Sequence, residues 1–322
     1  MAVGFGRVLP GGIVAYTYDT DGIADIYALD VARMYLLNLT RTPTHSEEHP
    51  SWSPNGAQLA YERNERGTSQ LCILEIARQF QCFPPHGYFD NNPVWSPDGQ
   101  WLASNSGGAE GGNLFLLDTT NGEVRRPNLI TQEVHGAYSW SPDSTRLAFS
   151  EYRPDGYLEL SILNLATGEV HRRFPDYRAI DLLPAWSPDG QRIALMSDTG
   201  LGYHVSIVSP EGGSPRPLTT ETGYDLSLSW SPDGSKLLLV SNREADNFDL
   251  FLIDSESGDM QLLTDNTALD ERPTWSPDGR QIAFTSDRDG GDIHIYIMNA
   301  DGSNVRRLTF AAGRNTDPAW RP

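Results

Sequence analysis

The sequence predicts an all-β fold. The expected architecture is a seven-bladed β-propeller of four-stranded antiparallel blades, its ring closed by the C-terminal strand joining the N-terminal blade. Three observations carry that expectation. A Trp-Ser-Pro-(Asp/Asn)-Gly motif recurs at a near-constant interval; three short alternating segments follow each recurrence; and the two chain ends complement each other as halves of one repeat.

The motif starts at Trp52, Trp95, Trp186, Trp230 and Trp275, with the variant Trp-Ser-Pro-Asp-Ser at Trp140 and a last Trp320 before Arg321 and Pro322. Successive tryptophans stand 43, 45, 46, 44, 45 and 45 residues apart, and only Trp101 of the eight lies outside this column. In the last full unit, Pro273-Thr274-Trp275 reads as a first strand and Ser276 to Gly279 as a turn. Gln281–Thr285, Ile293–Met298 and Val305–Thr309 read as the second to fourth strands, because β-branched and aromatic residues alternate between Gly/Asp/Asn clusters. Proline presets φ at the second turn position, Asp suits the third, and Gly accepts the left-handed conformation that closes the hairpin. Ser144, in place of Gly, should strain its turn slightly. The preceding Trp offers a flat apolar surface to wedge between neighbouring sheets, so the motif reads as scaffold. Triplets of second-to-fourth strands start near Ile13, Leu59, Trp101, Leu147, Ile193, Leu237 and Ile282. That makes seven blades in one domain spanning 1–322, with Pro318-Ala319-Trp320 supplying the strand the first triplet lacks.

Charge removes several function classes. The chain carries 24 Lys+Arg against 43 Asp+Glu, a formal net charge of −19, which argues against nucleic acid and against an anionic membrane surface. No apolar run approaches the ~20 residues of a membrane helix. Glycines and Pro10 interrupt the N-terminal stretch, so it lacks the unbroken apolar core of a signal peptide.

The pattern Pro273 to Gly290, Asp292 to Met298 and Arg306 to Thr309 resembles the TolB-type (WD40-like) propeller repeat almost residue by residue, and the resemblance covers nearly the whole chain. It implies the repeat rather than one activity, because related repeats occur in periplasmic TolB, in the propellers of prolyl-oligopeptidase and tricorn-type proteases, and in oligogalacturonate lyases. TolB differs in having six blades and an N-terminal α/β domain. The peptidases carry their nucleophile on an attached α/β-hydrolase domain, and neither that domain nor a Gly-x-Ser-x-Gly is present here. The lyases are similar in architecture, seven-bladed with a histidine-bound metal over the channel.

Loops over a rigid repeat are where function is expected. The residues five before each Trp are Glu47, Asp90, His135, Asp181, Asp225, Asp270 and Asn315. Seven-fold placement would ring the channel mouth with carboxylates, whose repulsion a bound cation, nearby basic groups or raised pKa values must relieve. All-oxygen ligation suits Ca²⁺ or Mg²⁺. The alternative is that each Asp caps its own loop. His45, His49, His86 and His135 lie in entry loops of three consecutive blades, and with Glu47 and Asp90 would suit Mn²⁺, Fe²⁺ or Zn²⁺; equally, they are solvated loop histidines. Tyr88, Tyr138, Tyr177, Tyr203 and Tyr224 would stack on sugar rings or anchor a peptide, or pack within their loops. Gly107 to Gly112 lacks the ending of a phosphate loop.

Cys72 and Cys82 fall in the third and fourth strands of one blade, and read as a disulfide or as two buried thiols. A disulfide favours an extracytoplasmic compartment, periplasmic or extracellular. Two functions follow. The first is a non-catalytic binding propeller that recognises a protein segment or glycan over its loop face. The second is a metal-dependent polysaccharide lyase of the oligogalacturonate type. No catalytic constellation is evident, so the first leads. Ring closure removes the usual edge-strand route to association, and a monomer is expected.

Overall fold

The computed structural model describes residues 12–65, 67–76, 80–84, 89–107, 113–129, 134–172, 180–198, 203–219, 224–243 and 247–322. Among these residues there is no helix; 28 strands form seven four-stranded antiparallel blades, a seven-bladed β-propeller. Blade 1 pairs the C-terminal strand Arg314–Trp320 with Ile13–Thr20, followed by Ile23–Asp30 and Tyr35–Asn38. The last strand therefore completes the first blade. Blades 2 to 7 open with the first strands Ser46–Trp52, Phe89–Trp95, Val134–Trp140, Ile180–Trp186, Asp225–Trp230 and Asp270–Trp275. Blade 7 runs on through Gln281–Ser286 and His294–Asn299, close to expectation. Its fourth strand is only Arg306–Arg307, because the outermost strand pairs on one side alone.

The chain divides into two compact units. One holds blades 1, 2 and 7 with the first strand of blade 3; the other holds blades 4, 5 and 6 and most of the rest of blade 3. A single parallel bridge, Leu158 to Ile180, links the sheets of blades 4 and 5.

The motif tryptophans wedge between sheets within each unit. Trp52 packs against Ile13 and Ala15 of blade 1 and Leu59 and Tyr61 of its own blade. Trp230 packs between Ala194 and Met196 on one side and Leu237 and Leu239 on the other. Three of the indoles also staple their joints. The N–H groups of Trp52, Trp95 and Trp230 donate to the carbonyls of Ala319 (3.2 Å), Ser51 (3.0 Å) and Ala185 (2.9 Å), each the residue before the preceding blade's tryptophan. Burying an aromatic this large stabilises the joint, and where the staple forms it fixes the ring's orientation.

The turn after each tryptophan repeats one hydrogen-bond frame. In blade 6 the Ser231 hydroxyl donates to Asp233 (2.7 Å) and accepts from the Lys236 N–H (3.0 Å), while Asp233 accepts from the Ser235 N–H (3.0 Å). These charge-assisted bonds hold the Asp233 carboxyl at about 2. Ser144 takes the glycine position with φ of 61°. Its hydroxyl accepts the Asp98 N–H at 2.9 Å, a bond to blade 3 that glycine would not make and that offsets the strain.

Candidate functional site

The residues five before each Trp lie in the first strands, and the described carboxylates among them pair within their own blades. Asp225 and Arg243 form a fully buried pair, with Oδ atoms 2.9 and 3.1 Å from one guanidinium nitrogen. Asp270 pairs with Arg288 in the same way at 2.9 and 3.0 Å. In both, the guanidinium Nε–H is held by a serine at the end of the second strand, Ser241 or Ser286. Glu47 is fully buried, accepts from Thr42 at 2.6 and 2.7 Å, and lies 3.6 Å from Arg63. Burial lifts its carboxyl to about 7 against the pull of Thr42 and Arg63. Burial likewise raises Asp225 against Ser241 and Arg243. Asn315 is buried and donates to the Ile293 carbonyl at 2.9 Å. Each described carboxylate of this column has an arginine beside it, Arg63, Arg243 or Arg288. The side chains of Asp90, His135 and Asp181 lie outside the described residues, as do His86, Tyr88, Tyr177 and residues 108–112.

Of the four candidate histidines, the side chains of His45 and His49 are described. His45 sits against Arg63 (2.9 Å) and Glu65 (3.3 Å), and His49 pairs with Glu62 at 3.0 Å. Among the described residues, no three His, Cys, Asp or Glu groups are placed to hold a metal ion. Tyr138 is buried and Tyr224 exposed. Cys72 and Cys82 face each other directly in the third and fourth strands of blade 2 and are joined as a disulfide.

A different column forms a site. Two positions further along, three before the Trp, His49, Asn92, Leu183, Arg272 and Asp317 all have left-handed backbones, with φ between 50° and 55°. Each precedes a proline: Pro50, Pro93, Pro184, Pro273 and Pro318. Where the register is given, the first strand carries one extra residue here, as between Glu48 and Ser51 or Glu271 and Thr274. Proline cannot donate to the ladder, so it is accommodated at a bulge, and the bulge turns the preceding side chain out of the sheet. A left-handed non-glycine residue costs about 1 kcal/mol or more, and such strain gathers at functional sites.

Four of these bulges, in blades 7, 1, 2 and 3, line a cavity of about 300 Å³ within one compact unit. His49, Asn92, Arg272 and Asp317 are its polar groups, and Pro50, Pro93, Pro273 and Pro318 its rigid walls. Arg272 and Asp317 form an ion pair across two blades. Burial alone would lower the His49 imidazole, but its bond to Glu62 and the charges of Asp317, Glu62 and Glu48 outweigh this and raise it above the usual value. The cavity therefore offers both signs of charge, an amide and apolar ring faces. Proline two before the Trp was the sequence signal for these bulges.

A propeller that holds one strained, side-chain-variable position at a fixed place in successive blades is a repeat scaffold with a presented surface. The model of the TolB beta propeller domain matches residues 91–244 and 222–322, more than two thirds of the chain, and the chain belongs to that family. It is 37% identical over 114 residues to a TolB homolog of Chlorobium luteolum, covering 35% of this chain and 25% of that one. The first curated relatives are matched over about a quarter of their own length. Among solved structures, TolB from Acinetobacter baumannii is similar with TM-score 0.62 and 21% identity, covering 96% of this chain and 82% of that one. An oligogalacturonate lyase in complex with manganese is similar with TM-score 0.66 and 17% identity, covering 93% and 86%. At these identities the structural likenesses show the fold.

Proposed function

We propose that the protein is a non-catalytic binding propeller that recognises a protein segment or a glycan at the bulge cavity. The observation that carries this reading is the column itself. Proline recurs at the bulge while the residue before it changes from His to Asn, Leu, Arg and Asp, so the backbone device is repeated and only the presented chemistry varies. A repeat needs no such variety to fold, and strain borne at a rigid scaffold position supports a role in ligand contact. The family likeness to TolB supports binding, and the Cys72–Cys82 disulfide supports a location outside the cytoplasm.

The test is a paired screen on peptide and glycan arrays, with the wild-type protein and an Arg272→Ala/Asn92→Ala variant. A ligand bound by the wild type and lost in the variant supports the reading. Ligands bound equally by both, or none on either array, contradict it. The lyase reading is tested in the same preparation by following unsaturated uronate released from polygalacturonate with and without Mn²⁺. Metal-dependent release would replace the binding reading with catalysis.

A further inference from the structure

Two successive joints in the other compact unit are closed by the chain's own ion pairs. Arg146, the first residue of the second strand of blade 4 (Arg146–Tyr152), lies over the Trp186 ring at 4.9 Å and pairs with Glu211 of blade 5 at 2.7 Å. Arg192, beside the second strand of blade 5 (Ile193–Asp198), lies over the Trp230 ring at 4.8 Å and pairs with Glu256 of blade 6 at 2.7 Å. Each arginine stands six residues after its blade's motif tryptophan. Each glutamate stands three residues after Val208 or Ile253, which pair with the equivalent second-strand residues Ile193 and Leu237. Carboxylate, guanidinium and indole thus stack into one plug at each joint.

At the joint between blades 3 and 4 both halves of the plug are replaced. Trp101 stands six residues after Trp95, in the arginine position, and Ala166 stands three after Leu163, in the glutamate position. A cavity of about 500 Å³ opens there, lined by Trp101, Leu116, Leu163 and Leu165, with Arg125 and Arg126 exposed at its edge. Arg125 lies over the Trp101 ring at 4.5 Å. In blade 5 the equivalent register position is Arg216, which donates instead to the carbonyls of Ser255 (3.1 Å) and Glu256 (3.4 Å) in the next blade.

We propose that this joint docks an acidic segment of a partner protein. A partner's Glu or Asp takes the place that Glu211 and Glu256 fill at the two joints above, against Arg125, and an apolar neighbour packs on Trp101 and Leu165. An exposed arginine held over an indole selects a carboxylate and not a basic ligand. The inference is independent of the bulge cavity, which lies in the other unit.

The experiment selects phage-displayed random dodecapeptides on the wild-type protein. Binding of the enriched peptides is then compared with Trp101→Arg/Ala166→Glu, which rebuilds the chain's own plug, and with Arg125→Gln, at an exposed position. The expected peptides carry Asp or Glu beside an apolar residue and bind each variant about tenfold more weakly or worse. Enrichment without acidic residues, or acidic peptides that bind both variants as tightly as the wild type, would overturn the proposal. So would saturation of the site by free glutamate or citrate at millimolar concentration, which would make the ligand a small carboxylate.

Discussion

Each first strand has two ends, and they obey different rules. At the turn end, Trp-Ser-Pro-Asp-Gly repeats with the same hydrogen bonds from blade to blade: Ser53, Ser96, Ser141, Ser187, Ser231 and Ser276 each donate to the Asp or Asn two residues on. At the bulge end of five blades, only the proline and the left-handed backbone recur, while the presented side chain changes in charge, size and polarity. The turn beside each joint is built the same way each time, so its residues are held constant. A cavity wall has no such duty. The lesson is that in this chain repetition marks support and variation within a repeated backbone device marks chemistry.

The sharpest way to break that comparison is at the turn end. Trp230→Ala removes a buried indole from between two sheets and its bond to Ala185, and should cost about 3–5 kcal/mol in chemical denaturation. A loss near zero would mean that the joint is held by something else. The in-blade pairs come next. The native Glu47 carboxyl keeps its proton up to about pH 7, whereas an unfolded one releases it near 4.5, so the fold loses stability as pH rises through that window and is level above it. Glu47→Gln removes this slope. Its unfolding free energy should gain on the wild type between pH 5 and 7, by an amount on the order of 3 kcal/mol or less. A constant difference across the window would show that Glu47 stays ionised. Ser231→Ala leaves the Lys236 N–H without its acceptor and should cost about 1–2 kcal/mol. Ser144→Gly should fall within about 1 kcal/mol of zero, because relief of a left-handed serine balances loss of the bond to Asp98. A clear gain in stability would show that the bond contributes little.

Much of the fold was legible. The tryptophan interval gave the blade count, and the mismatch of the chain ends gave the closing strand, because both depend on spacing alone. The site was less so. Glu47, Asp225 and Asp270 read from sequence as a shared ring, since periodicity places equivalent residues around one axis. It does not show that Arg63, Arg243 and Arg288, 16 or 18 residues later, reach back to them within the same blade. The cavity residues were hidden for a related reason. Strict alternation assigns side chains to faces, and one extra residue at the bulge shifts that register between Glu48 and Ser51. Pro50, Pro93, Pro184, Pro273 and Pro318, inside what otherwise reads as strand, were the available warning.

The most direct measurement is thermal unfolding of the triple variant Asn92→Gly/Arg272→Gly/Asp317→Gly. Glycine adopts the left-handed backbone freely, and removing Arg272 and Asp317 together leaves neither charge of their pair behind. If these side chains serve a ligand and not the fold, relief of strain offsets the entropy glycine adds to the unfolded chain. The melting temperature should then match the wild type within a few degrees. A fall as large as that of Trp230→Ala would contradict the account and make the bulge column part of the scaffold.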